Sequence, residues 1–246
     1  MAFQERVHMA LAGCHICRNP DRVQPLSPTR RSTIRRNAQR ARSARAELYA
    51  ALDAGLACHL GVVLDGAPVV LPTAYGRVDD TLYLHGSTGA RILRAAVEAP
   101  VCVTVTHVDG VVVARSVFHH SMNYRSAVVH GHARLVTDDA ERRVGLRAVT
   151  DHVAPGSWEH ARQPTRKELA ATAVLALDLA EASLKVRTGP PVDDDEDVAA
   201  GGRWAGVVPV RTEFGQPEPC PLLPSDTATP PHVAARSPRE SLRRGA

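Results

Sequence analysis

Long apolar segments are missing from this chain of 246 residues. No run approaches the roughly 18 apolar residues that a membrane-spanning helix needs, and the N-terminus lacks the basic, apolar and small-residue order of a secretory signal. Cysteine is also scarce: the five thiols are odd in number and scattered, which argues against a disulfide framework. We therefore expect a cytoplasmic protein with no membrane partner.

Lysine is nearly absent, with Lys167 and Lys185 the only two in the sequence. The chain is still basic, with an isoelectric point near 9.0 and a net charge of +4. Residues 1–45 carry ten arginines against two acids, a surplus of +8, so the other 201 residues carry a net charge of −4. The folded part is therefore not basic, and we expect no nucleic-acid partner.

The two ends of the chain differ in composition from its middle. Residues 1–30 contain several arginines and prolines and have little apolar periodicity, and prolines dominate residues 214–246. Such composition is typical of disordered segments. Cys14 and Cys17 form a CxxC pair, but no second ligand pair follows at the spacing of a zinc site. We predict a disordered arm, one folded domain over residues 31–213, and a disordered tail.

Short valine-rich segments in the middle of the chain predict β-strands. Asp65-Gly66 and Asp109-Gly110 each stand between two such segments, and each predicts a tight hairpin because glycine tolerates positive φ. Helices are predicted from Ala44, over 89–99, over 137–153 and over 165–172, where Thr165 and Glu168 have the spacing of a capping box. Strands are predicted over 57–64, 68–76, 81–85, 101–108, 111–117, 126–136 and 204–210. Because helices do not alternate with strands, the pattern favours a mainly β protein: a β-barrel with peripheral helices.

Two stretches have the composition of a binding site. In the segment LHGSTGAR, residues 84–91, a strand ends in small residues that open a helix, and Arg91 adds a cation in its first turn. Backbone N–H groups and the helix dipole at such a junction suit a phosphate, although a plain N-capped helix has the same pattern. The second stretch, residues 118–136, is rich in histidine. His130 and His132 would lie on one face of a strand, as in metal-binding barrels, but the glutamate that such a metal site requires is replaced by Val136.

Together these stretches resemble a known family. The motifs VVLPTAY, LYLHGSTGARIL and NYRSAVVHGHARLV occur in the order found in the pyridoxamine 5′-phosphate oxidase-like FMN-binding split barrels, in the branch of flavin-nucleotide-binding and nitroimidazole-resistance proteins. The resemblance covers about residues 30–213. It implies a split-barrel homodimer with FMN in a groove between the subunits.

The resemblance also implies which residues contact the flavin. Val70, Leu71, Pro72 and Thr73 would follow the isoalloxazine ring, and His85, Gly86 and Ser87 would follow the ribityl chain. Arg91 would pair with the phosphate, and Arg125 and Ser126 would add donors. Lys185 and Trp204 are weaker candidates. His85 is the predicted catalytic residue, because the matching histidine faces the substrate in the nitroimidazole-resistance branch.

Three functions remain open from the sequence. The first is an FMN-dependent oxidoreductase acting on a small molecule, with FAD or a deazaflavin as other possible cofactors. The second is a non-catalytic protein that stores flavin or binds haem. The third is a metal-dependent barrel enzyme that uses His130 and His132. Vitamin B6 oxidation is not expected, because the chain has WAGVVPV where the true oxidases carry a phosphate-gripping arginine and histidine.

Overall fold

The structure of the chain, a computed structural model, describes residues 25–26 and 28–236. Cys14 and Cys17 lie outside the described residues. The strands are β1 (Ala41–Arg42), β2 (Cys58–Leu64), β3 (Ala67–Thr73), β4 (Tyr75–Val78), β5 (Thr81–Ser87), β6 (Val101–Val113), β7 (Ser121–Gly131), β8 (Arg134–Leu135), β9 (Thr172–Asp178), β10 (Glu181–Arg187) and β11 (Gly206–Pro209). The helices are α1 (Arg45–Asp53), α2 (Arg91–Glu98), α3 (Asp139–Val153), α4 (Ser157–His160), α5 (Arg166–Ala171), α6 (Asp195–Ala200) and α7 (Pro231–Ala234). Short 3₁₀ helices occupy Ala38–Arg40 and Val117–His119.

The strands form two antiparallel sheets. The larger has the order β1-β10-β7-β6-β2-β3, with β11 paired to the far end of β6. The smaller has the order β4-β5-β9-β8. This mainly β architecture, with helices packed around it, confirms the predicted fold class.

The main core lies between the two sheets and under α1. Its members include Leu48, Leu60, Leu82, Val103 and Leu175, which come from α1 and from both sheets. On the other face of the smaller sheet a second cluster joins Tyr83 and Val174 to Val149 of α3. The smaller sheet is therefore covered on both faces, whereas part of the larger sheet's outer face has no helix over it in the described part.

The first predicted hairpin is confirmed. β2 and β3 pair from Cys58↔Thr73 to Leu64↔Ala67, and Asp65 and Gly66 form the two-residue turn with φ of 51° and 77°. Positive φ at both central residues is the geometry that suits the twist of a two-residue hairpin.

The second predicted hairpin, at Asp109-Gly110, is wrong. β6 runs without a break from Val101 to Val113, with a shift in its pairing to β7 between Val108 and Gly110. The Asp109 carboxylate accepts from Arg125 at 2.8 and 3.0 Å, and its carbonyl accepts from Val210 N–H. These contacts hold the pair inside a strand as a bulge.

The strand that follows begins earlier than predicted. β7 starts at Ser121 and ends at Gly131, so Arg125 lies within the strand and His132 lies beyond its end. His130 and His132 are therefore not two residues of one strand face, and that expectation is wrong.

The four predicted helices, α1, α2, α3 and α5, agree with prediction to within two residues at each end, and the capping box of Thr165 and Glu168 is present, whereas α4, α6 and α7 were not predicted. Strands β9 and β10 were not predicted. The described part of the tail returns to the domain: Arg236 donates to Val153 O, and His232 lies against His160. Within the described residues no helix has the length and apolar character needed to cross a membrane.

Candidate functional site

The outer strand of the larger sheet, β3, presents apolar side chains to solvent. Val70 is 60% exposed and Leu71 is 46% exposed, although both are aliphatic. Pro72 is also exposed, and Thr73 is half-buried at the end of the strand. Among the described strands β3 pairs only with β2, so in this part of the chain its other edge offers unpaired backbone groups beside an apolar surface. This is the kind of edge that a flat, partly polar ring can cover.

The junction between β5 and α2 presents backbone donors. Gly86 packs closely against α2, since an added Cβ would lie 2.7 Å from Leu93 Cδ1. Ser87 Oγ accepts from Gly89 N–H at 3.2 Å, and Ser87 O accepts from Ala90 N–H at 2.9 Å. The helix begins after Ala90, whose side chain cannot cap it. The first N–H groups of α2 therefore have no side-chain cap, which makes this helix end suitable for an anion.

Arg91 connects the junction to the β2–β3 hairpin. Its guanidinium donates to Asp65 Oδ2 at 2.7 Å, and both side chains are exposed. On the inner side, Val69 of β3 and Ala90 and Ile92 of the α2 region pack against the same core cluster. The structure thus brings the predicted ring-binding strand and the predicted phosphate-binding end into one neighbourhood.

His85 occupies an unusual environment on β5. It pairs with Val174 of β9 and shares the sheet face of Tyr83, opposite to the face on which Gly86 meets α2. Its Nδ1 is buried and makes no hydrogen bond. Burial lowers the pKa of the imidazole, which favours the neutral ring at neutral pH. A buried nitrogen without a partner is costly, so this atom is the best candidate in the region for contact with a bound molecule.

Arg125, Ser126 and Lys185 lie elsewhere in the larger sheet. Ser126 pairs with Thr106 on one side and with Lys185 on the other, and its Oγ lies 3.4 Å from Thr106 Oγ1. Lys185 Nζ donates to Arg36 O at 3.0 Å. These residues are on β7 and β10, and at about 4.8 Å per strand β7 is about 14 Å from β3. One chain therefore does not bring them beside Arg91.

Arg125 differs further from the predicted role of a phosphate donor. It forms a two-pronged ion pair with Asp109, and its hydrogen bonds hold the pKa of that carboxyl below its usual range. By strand alternation its side chain lies on the opposite face from Ser126. Trp204, the last predicted contact, is exposed and stands next to β11, with its ring over Gly206.

Sequence reasoning missed a second exposed apolar group at the turn between β6 and β7. Val117 is 88% exposed and Phe118 is 87% exposed. The next two residues are His119, which bonds Asp194 at 3.1 Å, and His120, which bonds Ser116 O at 3.0 Å. Two bulky apolar residues are followed directly by two histidines in the sequence. This segment could therefore have been singled out from the sequence alone.

Among the described residues, neither the two cavities nor any cluster of metal ligands coincides with the predicted site residues. One cavity lies between α2 and β9, lined by Leu93, Val97 and Leu175, and another lies between α3 and β4, lined by Arg77, Ala148 and His152. None of the predicted flavin-contacting residues lines either cavity. In the described ranges no three His, Cys, Asp or Glu side chains are grouped as metal ligands.

A family model described as pyridoxamine 5′-phosphate oxidase matches residues 44–186, which is more than half of the chain. The protein belongs to this family. The match begins before α1 and ends in β10, so both sheets and nearly all the predicted contact residues fall within the family domain, whereas Trp204 falls outside it. A search of curated proteins gave no match.

Solved structures extend the likeness beyond the family domain. The flavocytochrome Anf3 from Azotobacter vinelandii is 40% identical, with 86% of this chain and 99% of that chain covered and a TM-score of 0.81. The FAD and haem binding protein from Mycobacterium smegmatis is 46% identical, with 80% and 97% covered and a TM-score of 0.77. A candidate 5-nitroimidazole antibiotic resistance protein from Bacteroides thetaiotaomicron is 21% identical, with 59% and 86% covered and a TM-score of 0.52. This last similarity shows the shared fold.

Proposed function

We propose that this protein binds a flavin along β3 and the β5–α2 junction and acts as a flavin-dependent oxidoreductase on a small molecule. The observation that carries the proposal is the meeting of an exposed apolar strand edge with an N–H-rich helix end, joined through Arg91 and Asp65. A flavin needs this combination, because its ring is flat and apolar whereas its phosphate is anionic. Two relatives at 40% and 46% identity, a flavocytochrome and an FAD and haem binding protein, support it.

The residues present fit the cofactor at both ends. Val70 and Leu71 would lie under the ring, and the free edge of β3 would supply backbone hydrogen bonds to its polar rim. The first turn of α2 and Arg91 would hold the phosphate, by charge and by N–H donation. When bound, the flavin supplies the redox chemistry, with electrons from a nicotinamide cofactor or another donor.

His85 is the protein group that we propose to handle a proton. It is neutral at neutral pH because burial lowers its pKa, so one ring nitrogen can accept a proton while the other donates. The unpartnered Nδ1 makes contact with a ligand favourable, since the contact would satisfy a buried atom.

The flavin groove is completed, in this proposal, by a second copy of the chain. The predicted contacts divide into a set on β3, β5 and α2 and a set on β7 and β10, which lie about 14 Å and about 19 Å from β3 across the larger sheet. The outer face of the larger sheet carries the small polar residues Thr104, Thr106, Ser126 and Ser183 together with Lys185 and Glu181, a mixture that suits contact with another subunit. A homodimer places Ser126 and Lys185 of one subunit near Arg91 of the other.

Whether the bound flavin is FMN or FAD depends on whether the protein accommodates a second phosphate. FMN fits the single anion-binding end described above, whereas the FAD of the 46% identical relative favours FAD. The decisive measurement is the mass of the cofactor released from the purified protein, together with parallel titrations of the flavin-free protein with FMN and FAD. Failure to bind either flavin would overturn the proposal.

Reduction of the bound flavin separates an enzyme from a carrier. Anaerobic addition of NADH or NADPH should bleach the flavin absorbance if the protein is an oxidoreductase that uses a nicotinamide donor. Bound flavin that neither these nor artificial donors reduce would instead indicate storage.

Haem is a second candidate ligand, and a specific observation favours it. Two relatives above 30% identity are described as a flavocytochrome and as an FAD and haem binding protein. In this chain the exposed segment Val117–His120 offers apolar surface and histidine together.

A further inference from the structure

We propose that the segment Val117–His120 is the haem site of this protein and that His120 is the axial ligand through Nε2. The inference rests on the proposed flavin and haem function, and it assigns the haem to particular residues. Three features support it: the orientation of one imidazole, the exposed apolar surface around it, and two neighbouring arginines that form no ion pair with an acid in the described part of the chain.

The orientation of His120 leaves one nitrogen free for a metal. Nδ1 lies 3.0 Å from Ser116 O, and a carbonyl oxygen can only accept, so Nδ1 carries the proton. Nε2 then holds the lone pair, on the outer side of an exposed ring. Histidines that ligate metals donate their other N–H to a carbonyl or carboxylate in this manner, which fixes the tautomer and the ring direction. His120 is therefore held as a ligand would be.

His119 is less suitable, although it is adjacent. Its Nε2 lies 3.1 Å from the Asp194 carboxylate, which leaves Nδ1 as the free nitrogen. Nδ1 is bonded to Cγ and lies close to the backbone, so a wide flat macrocycle approaches it poorly. In addition, the Phe118 ring stands edge-on to the His119 ring with centroids 5.1 Å apart.

Other described histidines are held in positions that disfavour haem. His107 bonds Ala51 O beneath α1, and His152 bonds Gly55 O and packs on Tyr75. His160 and His232 are stacked on each other. None of these four stands beside a surface with two large apolar side chains in solvent, as His120 does.

The surface around His120 can cover a porphyrin. Val117 and Phe118 are 88% and 87% exposed, and Met122 at the start of β7 is also exposed. Trp204 is exposed beside Gly206, which pairs with Val113 at the end of β6 that leads into this turn. Large apolar groups in solvent around one turn are costly unless a ligand or partner covers them. A haem presents the matching chemistry: a broad apolar plane with a metal at its centre.

Positive charge without an acidic partner lies along the next strand. Arg187 is only 6% exposed and donates to Asn123 Oδ1 and Pro190 O, and among the described residues no carboxylate forms an ion pair with it. Arg40 lies close enough to help lower the pKa of Arg187. Asn123 is three residues beyond His120, about 10 Å along an extended chain. An anionic group there, such as a haem propionate, would supply the missing counter-charge.

The test is a titration of the flavin-loaded full chain with hemin, followed through the Soret band. We expect wild-type protein to bind hemin stoichiometrically. His120→Ala should weaken this binding by more than the roughly 10- to 100-fold typical of losing an outer hydrogen-bond partner. Added imidazole should restore the wild-type spectrum of the variant. The matched controls are His119→Ala and His132→Ala, which should retain the wild-type spectrum, and flavin absorbance should be unchanged in all three.

Each outcome separates the two proposals. Hemin binding by His120→Ala with the wild-type spectrum and affinity would overturn the ligand assignment and leave haem binding intact. Loss of the Soret band in His119→Ala alone would move the ligand to the neighbouring residue and also overturn it. Wild-type protein that binds flavin but no hemin would overturn the haem site while the flavin proposal stands, and protein that binds neither would overturn both.

Discussion

The guanidinium of Arg91 donates to the carboxylate of Asp65 across 2.7 Å, joining the first turn of α2 to the β2–β3 turn. Both groups are exposed, so the pair adds little to folding stability. Its importance lies in position: it places a cation at the point where the exposed edge of β3 meets the N-terminal end of a helix. A ligand phosphate arriving there would compete with Asp65 for Arg91.

Replacing Arg91 should therefore weaken flavin binding with little effect on stability. We expect Arg91→Ala to cost about 1.5 to 3 kcal/mol of binding free energy, about 10- to 150-fold in Kd, if the guanidinium bonds the phosphate. The measurement is quenching of flavin fluorescence during titration of flavin-free protein, with the urea midpoint measured alongside.

Asp65→Ala is the matched control for this change. It removes the same ion pair but leaves the cation free, so flavin should bind as well as or better than to wild type. Equal weakening by both variants would show that the ion pair only shapes the hairpin and that the phosphate binds elsewhere.

Acid should destabilise the protein through two half-buried histidines. Burial lowers the pKa of both His85 and His152 in the folded state. The unfolded chain has the ordinary value of about 6.5 and so binds protons first as the pH falls. The stability that the neutral rings contribute is complete above that pH and is lost as the pH falls toward their lower folded values.

Urea unfolding at pH 7.5 and pH 5.5 checks this expectation. The midpoint of the wild type should fall at the lower pH, and His85→Gln and His152→Gln should each reduce the fall. His132→Ala, which replaces an exposed histidine beyond β7, should leave it unchanged. A fall of the same size in the His85→Gln, His152→Gln double variant would show that other groups cause the acid sensitivity.

The contact between α3 and the smaller sheet depends on glycine. An added Cβ at Gly76 of β4 would overlap the backbone of Ala148, and one at Gly145 would lie 2.7 Å from Tyr83 Cδ1. Gly76→Ala should destabilise the fold by about 1–3 kcal/mol or more, because backbone cannot move aside as a side chain can. Thermal or urea unfolding measures this loss.

Gly89→Ala is the control for the glycine effect. Its added methyl would meet only Ser87 Oγ, at 3.6 Å, an ordinary contact. A Gly76→Ala variant as stable as Gly89→Ala would mean that α3 sits farther from β4 than the structure places it.

The two Asp-Gly pairs show what local sequence can predict. Both had turn chemistry between valine-rich segments, yet only Asp65-Gly66 forms a turn. Asp109 is instead bound by Arg125 and by Val210, partners 16 and about 100 residues away in sequence. Local propensity decides a hairpin only where long-range pairing does not compete with it.

Strand β9 shows the same limit for an apolar run. The segment TAVLALD is apolar at five consecutive positions, a pattern that fits a buried strand or a buried helix equally well. It is a strand because it lies between β5 and β8, with both faces covered by the two core clusters.

The candidate contacts at residues 70–73 and 85–91 could be found from motifs because each is a continuous segment. The separation of Ser126 and Lys185 from β3, about 14 Å and about 19 Å across the sheet, depends on sheet order, which no local pattern contains.

That separation leads to a test of the shared groove by mixing two defective chains. If each flavin site takes Arg91 from one subunit and Lys185 from the other, an Arg91→Ala chain paired with a Lys185→Ala chain forms one site with both defects and one intact site. Half of the sites in such a heterodimer should then bind flavin with wild-type affinity. If both residues served a site within a single chain, every site would keep one defect and none would recover.

Differently tagged chains, refolded together and purified through both tags, supply the heterodimer for titration. Each homodimeric variant gives the weakened affinity for comparison. A heterodimer that behaves as the average of the two variants would contradict the shared groove, because the 14 Å between β3 and β7 would then have to be bridged within one subunit.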